Sequence, residues 1–130
     1  MENKEMKSLA ERNVEGQGNS KLTFDEQVIS KIVLMSIKDI DGITTSKASG
    51  GAFFGRSGSA GVNVEVGETE VAVDLRLILE FGKNAKDIYS ELKSSIEEQI
   101  ASMTGLKVVE VNVKVEDVLN SEDFRELIEK

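Results

Sequence analysis

The sequence predicts an α+β fold: a two-layer sandwich in which a mostly antiparallel sheet of about four strands carries two helices on one face. The order is α-β-β-β-α-β, with a short helix after the last strand. Two observations carry this reading. Three runs place an aliphatic residue at every second position, which is the period of a half-buried strand: Val62, Val64 and Val66; Val71, Val73, Leu75, Leu77 and Leu79; and Val109, Val111, Val113 and Val115. Two longer segments instead repeat their apolar residues with the helical period of 3.6, and helices of that kind need an apolar sheet face to cover.

The first helical segment holds Val28, Ile29, Ile32, Val33, Met35 and Ile37, a band wide enough to bury more than half the circumference. Thr23 followed by Glu26 is a capping-box pattern that marks its start, and Gly42 suits its end. The run from Ile43 to Ala48 has strand propensity but one large apolar residue, which fits an edge strand. Residues 50–61 contain five glycines and read as a connector. Gly67-Glu68-Thr69 is short enough to close an antiparallel hairpin between the first two alternating runs.

Asn84 then caps the second helical segment, whose face is Ala85, Ile88, Tyr89, Leu92, Ile96, Ile100 and Met103, and Gly105 stops it. The outer sheet face is expected to show Glu65, Asp74, Arg76, Ile78, Val108, Glu110, Asn112 and Lys114. At the end of the chain, Ser121 opens an amphipathic helix with Phe124, Leu127 and Ile128 on one side. Three apolar groups are too few to hold ten residues alone, so they must pack on their own domain or on another chain. The organisation is therefore a mobile leader over residues 1–20, one α+β domain over 21–118 and a C-terminal helix over 119–130.

Composition narrows the function. The chain has 130 residues, no cysteine and no histidine, which removes thiolate nucleophiles, Cys- or His-based metal sites and the side chain that titrates near neutrality. An enzyme is not expected, nor a metal or a cofactor. With 24 acidic against 16 basic residues the net charge is −8, which repels phosphate backbones. No apolar run approaches the roughly 20 residues that span a bilayer, so membrane contact is expected to be indirect. The chain opens without a cationic-apolar leader, and a cytoplasmic location is expected.

Motifs that could carry chemistry are fragmentary. Asp39, Asp41 and Gly42 resemble the start of a calcium loop, but Gly50 stands where the bidentate glutamate belongs, and a solvated helix end is the better reading. Gly55-Arg-Ser-Gly58 has the form of a Gly-x-x-Gly backbone clamp, and a nucleic-acid-binding module using that loop with Arg56 is the alternative function. It sits before a strand rather than between helices, in an acidic chain, so nucleic acid is not the expected partner. Phe53 and Phe54 are aromatic where a connector is ordinarily polar; they are candidate interface anchors, with folding back over the edge of the core as the equal alternative. Asp74, Arg76, Glu65 and Glu110 read as a surface ion-pair ladder rather than a catalytic carboxylate pair.

Three stretches taken together go further. Leu22-Thr-Phe-Asp-Glu-Gln-Val-Ile-Ser-Lys-Ile-Val, Gly61-Val-Asn-Val-Glu-Val-Gly-Glu-Thr-Glu-Val-Ala-Val-Asp-Leu and Met103-Thr-Gly-Leu-Lys-Val-Val-Glu-Val-Asn-Val-Lys-Val resemble the alkaline shock protein family of Gram-positive bacteria, and the likeness extends over residues 21–118 to include Asp74 and Phe81-Gly82. The resemblance implies an abundant cytoplasmic protein of the envelope stress response, without enzyme activity, tethered to the membrane by a small anchoring protein and prone to self-association. The glycine loop bearing Phe53 and Phe54 departs from that pattern. The expected partners are thus a membrane-anchoring protein and the chain itself as a homo-oligomer, with Phe53, Phe54, Arg56, Phe124, Leu127 and Ile128 as candidate contact residues.

Overall fold

The computed structural model describes residues 20–46 and 61–129. Its elements run α1 (Glu26–Lys38), β1 (Ile43–Thr45), β2 (Val62–Val66), β3 (Glu70–Glu80), α2 (Ala85–Thr104), β4 (Lys107–Leu119) and α3 (Ser121–Glu129). The predicted order of elements and the α+β class are what is observed. Expectations concerning the leader and the glycine-rich connector fall on residues outside those described.

β3 organises the sheet. One of its edges is shared end to end by β2, antiparallel with Val64 opposite Val73, and β1, antiparallel with Thr44 opposite Ile78. The other edge is taken by β4, which runs parallel with Val73 opposite Val111 and Leu75 opposite Val113. A parallel neighbour needs a crossover, and α2 supplies it by returning the chain from the end of β3 to the start of β4. The sheet is therefore mixed.

Alternate residues of β2 and β3 meet the helices in one hydrophobic cluster. Val62, Val64, Val71, Val73, Leu75 and Leu77 join Ile29, Val33 and Ile37 of α1 and Leu92, Ile96 and Ile100 of α2. Burying each such side chain is worth roughly 1.5 to 3 kcal/mol, so this seam is the main source of stability. α1 contacts β1, β2 and α2, and α2 contacts β4.

Met103, expected on the apolar face of α2, is 62% exposed, and local details of α1 and β4 depart from the sequence reading in four further places. α1 begins at Glu26 behind Asp25, so the N-cap is Asp25, which makes no side-chain capping bond, rather than Thr23. It ends at Lys38 rather than at Gly42; a turn intervenes, and Gly42 takes a left-handed φ of 96° on the way into β1. Val28 and Met35 are exposed, because the buried stripe of α1 includes Ser30 and Ser36 in their place. Ser36 offsets its burial by donating from Oγ to the Ile32 carbonyl at 3.1 Å.

The fourth departure concerns β4. The alternation Val109, Val111, Val113, Val115 predicts Val109 inward and Val108 outward, but Val108 is the buried one at 9% exposure and Val109 is 50% exposed. A β-bulge is the reason: Val71 pairs with Val108 and Ala72 with Glu110, so Val109 is an extra residue and the side-chain parity shifts there. A second irregularity separates the pairs Leu77–Val115 and Ile78–Asp117 and leaves Glu116 extra.

Predicted caps on α2 are present. Asn84 accepts the Asp87 N–H on its side chain at 3.0 Å, and Gly105 closes the helix at φ 82°, its N–H donating to the Ala101 carbonyl.

Candidate interaction surface

Phe124, Leu127 and Ile128 lie on α3 and share one side of it, but they do not share an environment. Phe124 is only 4% exposed, Leu127 is half-buried and Ile128 is 52% exposed. Phe124 and Ile78 are the buried apolar residues that stand outside the main core cluster. Ile78 points to the sheet face opposite Leu77 and Leu79, and α3 touches both β3 and β4. Phe124 thus fastens α3 to its own domain. The helix start is held by Asn120, whose side chain accepts the Asp123 N–H at 2.8 Å.

A groove of about 410 Å³ opens beside this helix between Leu34, Lys38 and Ile40 on one wall, β1 on the other, and Phe124 with Ile128 at its end. At its rim Asp41 accepts a hydrogen bond from Lys83 Nζ at 2.9 Å, which together with the Asp41 charge raises the Lys83 pKa above its ordinary 10.5. The predicted remnant of a calcium loop is therefore a solvated turn with one carboxylate engaged by a lysine. Among the described residues no group of three histidine, cysteine, aspartate or glutamate side chains could hold a metal ion.

Phe53, Phe54 and Arg56, together with the Gly55–Gly58 clamp, fall outside the described residues. The sheet positions on either side of that connector are fixed. Ser46 donates its N–H to the Arg76 carbonyl at 2.9 Å, and the Arg76 N–H donates to the Gly61 carbonyl at 2.8 Å, so the chain leaves and re-enters the sheet across a single residue of β3. Gly61 has φ 84°, and a Cβ there would meet the Arg76 carbonyl oxygen at 2.9 Å and the Ser46 nitrogen at 3.0 Å. Only glycine fits that neck without a shift.

The outer sheet face carries the expected charges in a different pairing. Asn112 Nδ2 donates to Asp74 Oδ1 at 2.9 Å and to Glu110 Oε2 at 2.6 Å, so an amide rather than a cation bridges the two carboxylates. Arg76 approaches Glu116 at 4.0 Å, and Glu116 also accepts from Ser46 Oγ at 2.9 Å. These groups are exposed or half-exposed and need no cleft.

Sequence reasoning places the exposed strand edge at β1 and misses β4. β4 pairs with β3 alone among the described residues, and Val109, Val115 and Val118 along it are exposed. The adjacent pair Val108-Val109 is the available signal, since two successive aliphatics break the period of two and announce a bulge. Tyr89 reaches over from α2 and donates its hydroxyl to the Val111 carbonyl at 3.0 Å. No helix among the described residues is long and apolar enough to cross a membrane.

Proteins named stress response regulator gls24 homolog from Streptococcus pyogenes serotypes M3, M28 and M1 are each 42% identical over 112 residues, which is 79% of this chain. The chain spans 61% of the length of these curated relatives. No solved structure matches it. The model of the alkaline shock protein 23 family, described as having a cell envelope-related function, matches residues 14–120, from ahead of α1 to the end of β4. The chain therefore belongs to the alkaline shock protein family to which its motifs pointed, a family of cell envelope-related function.

Proposed function

We propose that this chain is a non-enzymatic structural protein of the envelope stress response, which acts by associating with itself and with a membrane-anchoring protein at the cytoplasmic face of the cell membrane. The observation that carries the reading is a long strand edge bearing exposed valines, β4, on a chain whose family has a cell envelope-related function. Exposed aliphatics on an edge that no strand pairs among the described residues gain by being covered, and a second chain can cover them. Absence of histidine and cysteine from the sequence supports a role in assembly over one in catalysis. The relatives bear the name stress response regulator, which supports a role in stress.

An acidic chain gains nothing from anionic lipid, so its route to the membrane is a protein. Flotation tests this. Purified chain is expected to float with native membranes of the organism that carries it, to lose that behaviour when the membranes are first stripped with protease, and to stay behind with protein-free vesicles of the same lipids. Retention in the dense fraction with untreated native membranes would refute membrane recruitment, and flotation with protein-free vesicles would refute the need for an anchoring protein.

A further inference from the structure

Among the described residues no strand pairs with the outer edge of β4. Both backbone groups of Arg76 face the β1–β2 edge, since its N–H meets Gly61 and its carbonyl meets Ser46. Such groups alternate sides along a strand, so those of Val73, Leu75 and Leu77 face β4. In the observed parallel register the reciprocal bonds fall to Glu110, Asn112 and Lys114, which leaves the N–H and C=O of Val111 and Val113 pointing away from the sheet. Tyr89 takes one lone pair of the Val111 carbonyl and leaves the other.

Both ends of this edge are blunted and its middle is not. The bulge at Val109 and the extra residue Glu116 bend the ends, and the Val118 N–H is tied to the Asp117 carboxylate at 2.8 Å. Glu110 to Lys114 lies between them in regular register.

We infer that Glu110–Lys114 pairs with the same segment of a second copy of the chain, antiparallel about a two-fold axis at Asn112. The segment is complementary to itself. Rotation about Asn112 sets Glu110 opposite Lys114 and Val111 opposite Val113, and two-fold symmetry makes each contact twice. The same register sets Val109 opposite Val115 and Lys107 opposite Asp117. An axis at Val113 would instead face Glu110 with Glu116, and an axis at Val111 would leave Lys114 opposite Val108. Parity agrees as well: Val111 and Val113, whose backbone groups point away from β3, become the hydrogen-bonded pair. The incoming Lys114 lands beside Glu110, a carboxylate that already accepts a hydrogen bond from Asn112.

The seam rests on the self-association proposed above and names its surface. It is tested by charge reversal in the full chain, followed by sedimentation equilibrium over a wide concentration range with far-UV circular dichroism to show that the exposed substitutions leave the fold intact. Wild type is expected to dimerise reversibly. Glu110→Lys and Lys114→Glu should each weaken the dimer by roughly tenfold, since two attractive pairs become repulsive. The double variant E110K/K114E should restore it, and the two single variants mixed should form a heterodimer tighter than either homodimer. A dimer indifferent to both reversals, or not restored in the double variant, overturns the seam while leaving self-association in place. A chain monomeric at its highest soluble concentration also overturns it, and flotation with native membranes would then still stand for recruitment by a partner.

Discussion

β3 and β4 carry the same alternation of aliphatic and polar residues and lie side by side in one sheet, yet their inward residues have different surroundings. Val71, Val73, Leu75 and Leu77 are each no more than 2% exposed, whereas along β4 burial fades from Val111 to Val115 at 41% and Val118 at 48%. Two differences produce this. Among the described residues β3 has a strand on each edge and β4 on one. α2 enters the core over Leu92, Ile96 and Ile100, while Ile88 and Tyr89 in its first turns are only half-buried, so the helix covers the beginning of β4 better than its end. Alternation encodes a strand; neighbours decide whether its apolar side meets protein or water.

The most severe way to break the comparison is the same substitution in both strands. Val73→Asp places a carboxylate inside the hydrophobic cluster at a fully buried position and should cost about 4 kcal/mol or more, most of a small domain's stability. Val115→Asp should cost under about 1 kcal/mol, because water already reaches that position. Urea titration of both variants checks this, and equal losses would mean that β4 is covered to its end.

α3 offers a second contrast within nine residues. Phe124→Ala removes the buried contact that fastens the helix and should cost about 3 kcal/mol, more than the half-buried Leu127 can replace, so α3 amides should exchange rapidly while those of β3 stay protected. Ile128→Ala should change stability by less than about 0.5 kcal/mol. Hydrogen exchange resolves the two, and a protected α3 in the Phe124 variant would show that other contacts hold it.

Glycines sharpen the contrast between a crowded and an open position. Gly61 and Gly105 both sit at positive φ, but a Cβ on Gly61 collides with the backbone of Arg76 and Ser46 and one on Gly105 meets nothing within 4 Å. Gly105→Ala should cost about 1 kcal/mol, the left-handed penalty alone, and Gly61→Ala about 3 kcal/mol. Thermal melts of the two variants compare them directly.

These contrasts also show what can be read from the sequence. The five alternating residues of β3, the Gly67-Glu68-Thr69 hairpin and the Asn84–Gly105 limits of α2 are legible because each is a local signal: period, turn residues and caps. The exposure of β4 is not, since it depends on which strand takes which edge of β3, a choice made by the crossover through α2. The parity shift at Val109 is legible only in the adjacent pair Val108-Val109, because the four valines at every second place satisfy the strand period whether or not a bulge intervenes. Among the candidate contact residues, the amphipathic pattern of α3 correctly requires a partner for its apolar side. Phe124 finds that partner on its own domain, leaving Ile128 and the β4 valines as apolar surface. Phe81, exposed in the turn after β3, has no partner among the described residues that would explain an aromatic there.

The smallest effect concerns the charged surface as opposed to the aliphatic interior. The pKa values of Lys83 and Lys93 are both shifted upward, caused first by the hydrogen bonds that they donate to Asp41 and Glu97 and then by the charges of those carboxylates. A lysine whose folded pKa is raised contributes stability that is fully present below its unfolded pKa of 10.5 and lost as pH rises through the higher folded value. Stability of the pair is therefore constant through the neutral and mildly alkaline range. Asp41→Asn should lower the melting temperature slightly at about pH 8, by an amount that high salt removes, because both groups are solvent-exposed. Above the folded pKa of Lys83 the variant and wild type should melt together. A difference that persisted there would mean that Asp41 holds the turn by hydrogen bonding to backbone or by packing, and that its bond to Lys83 is incidental.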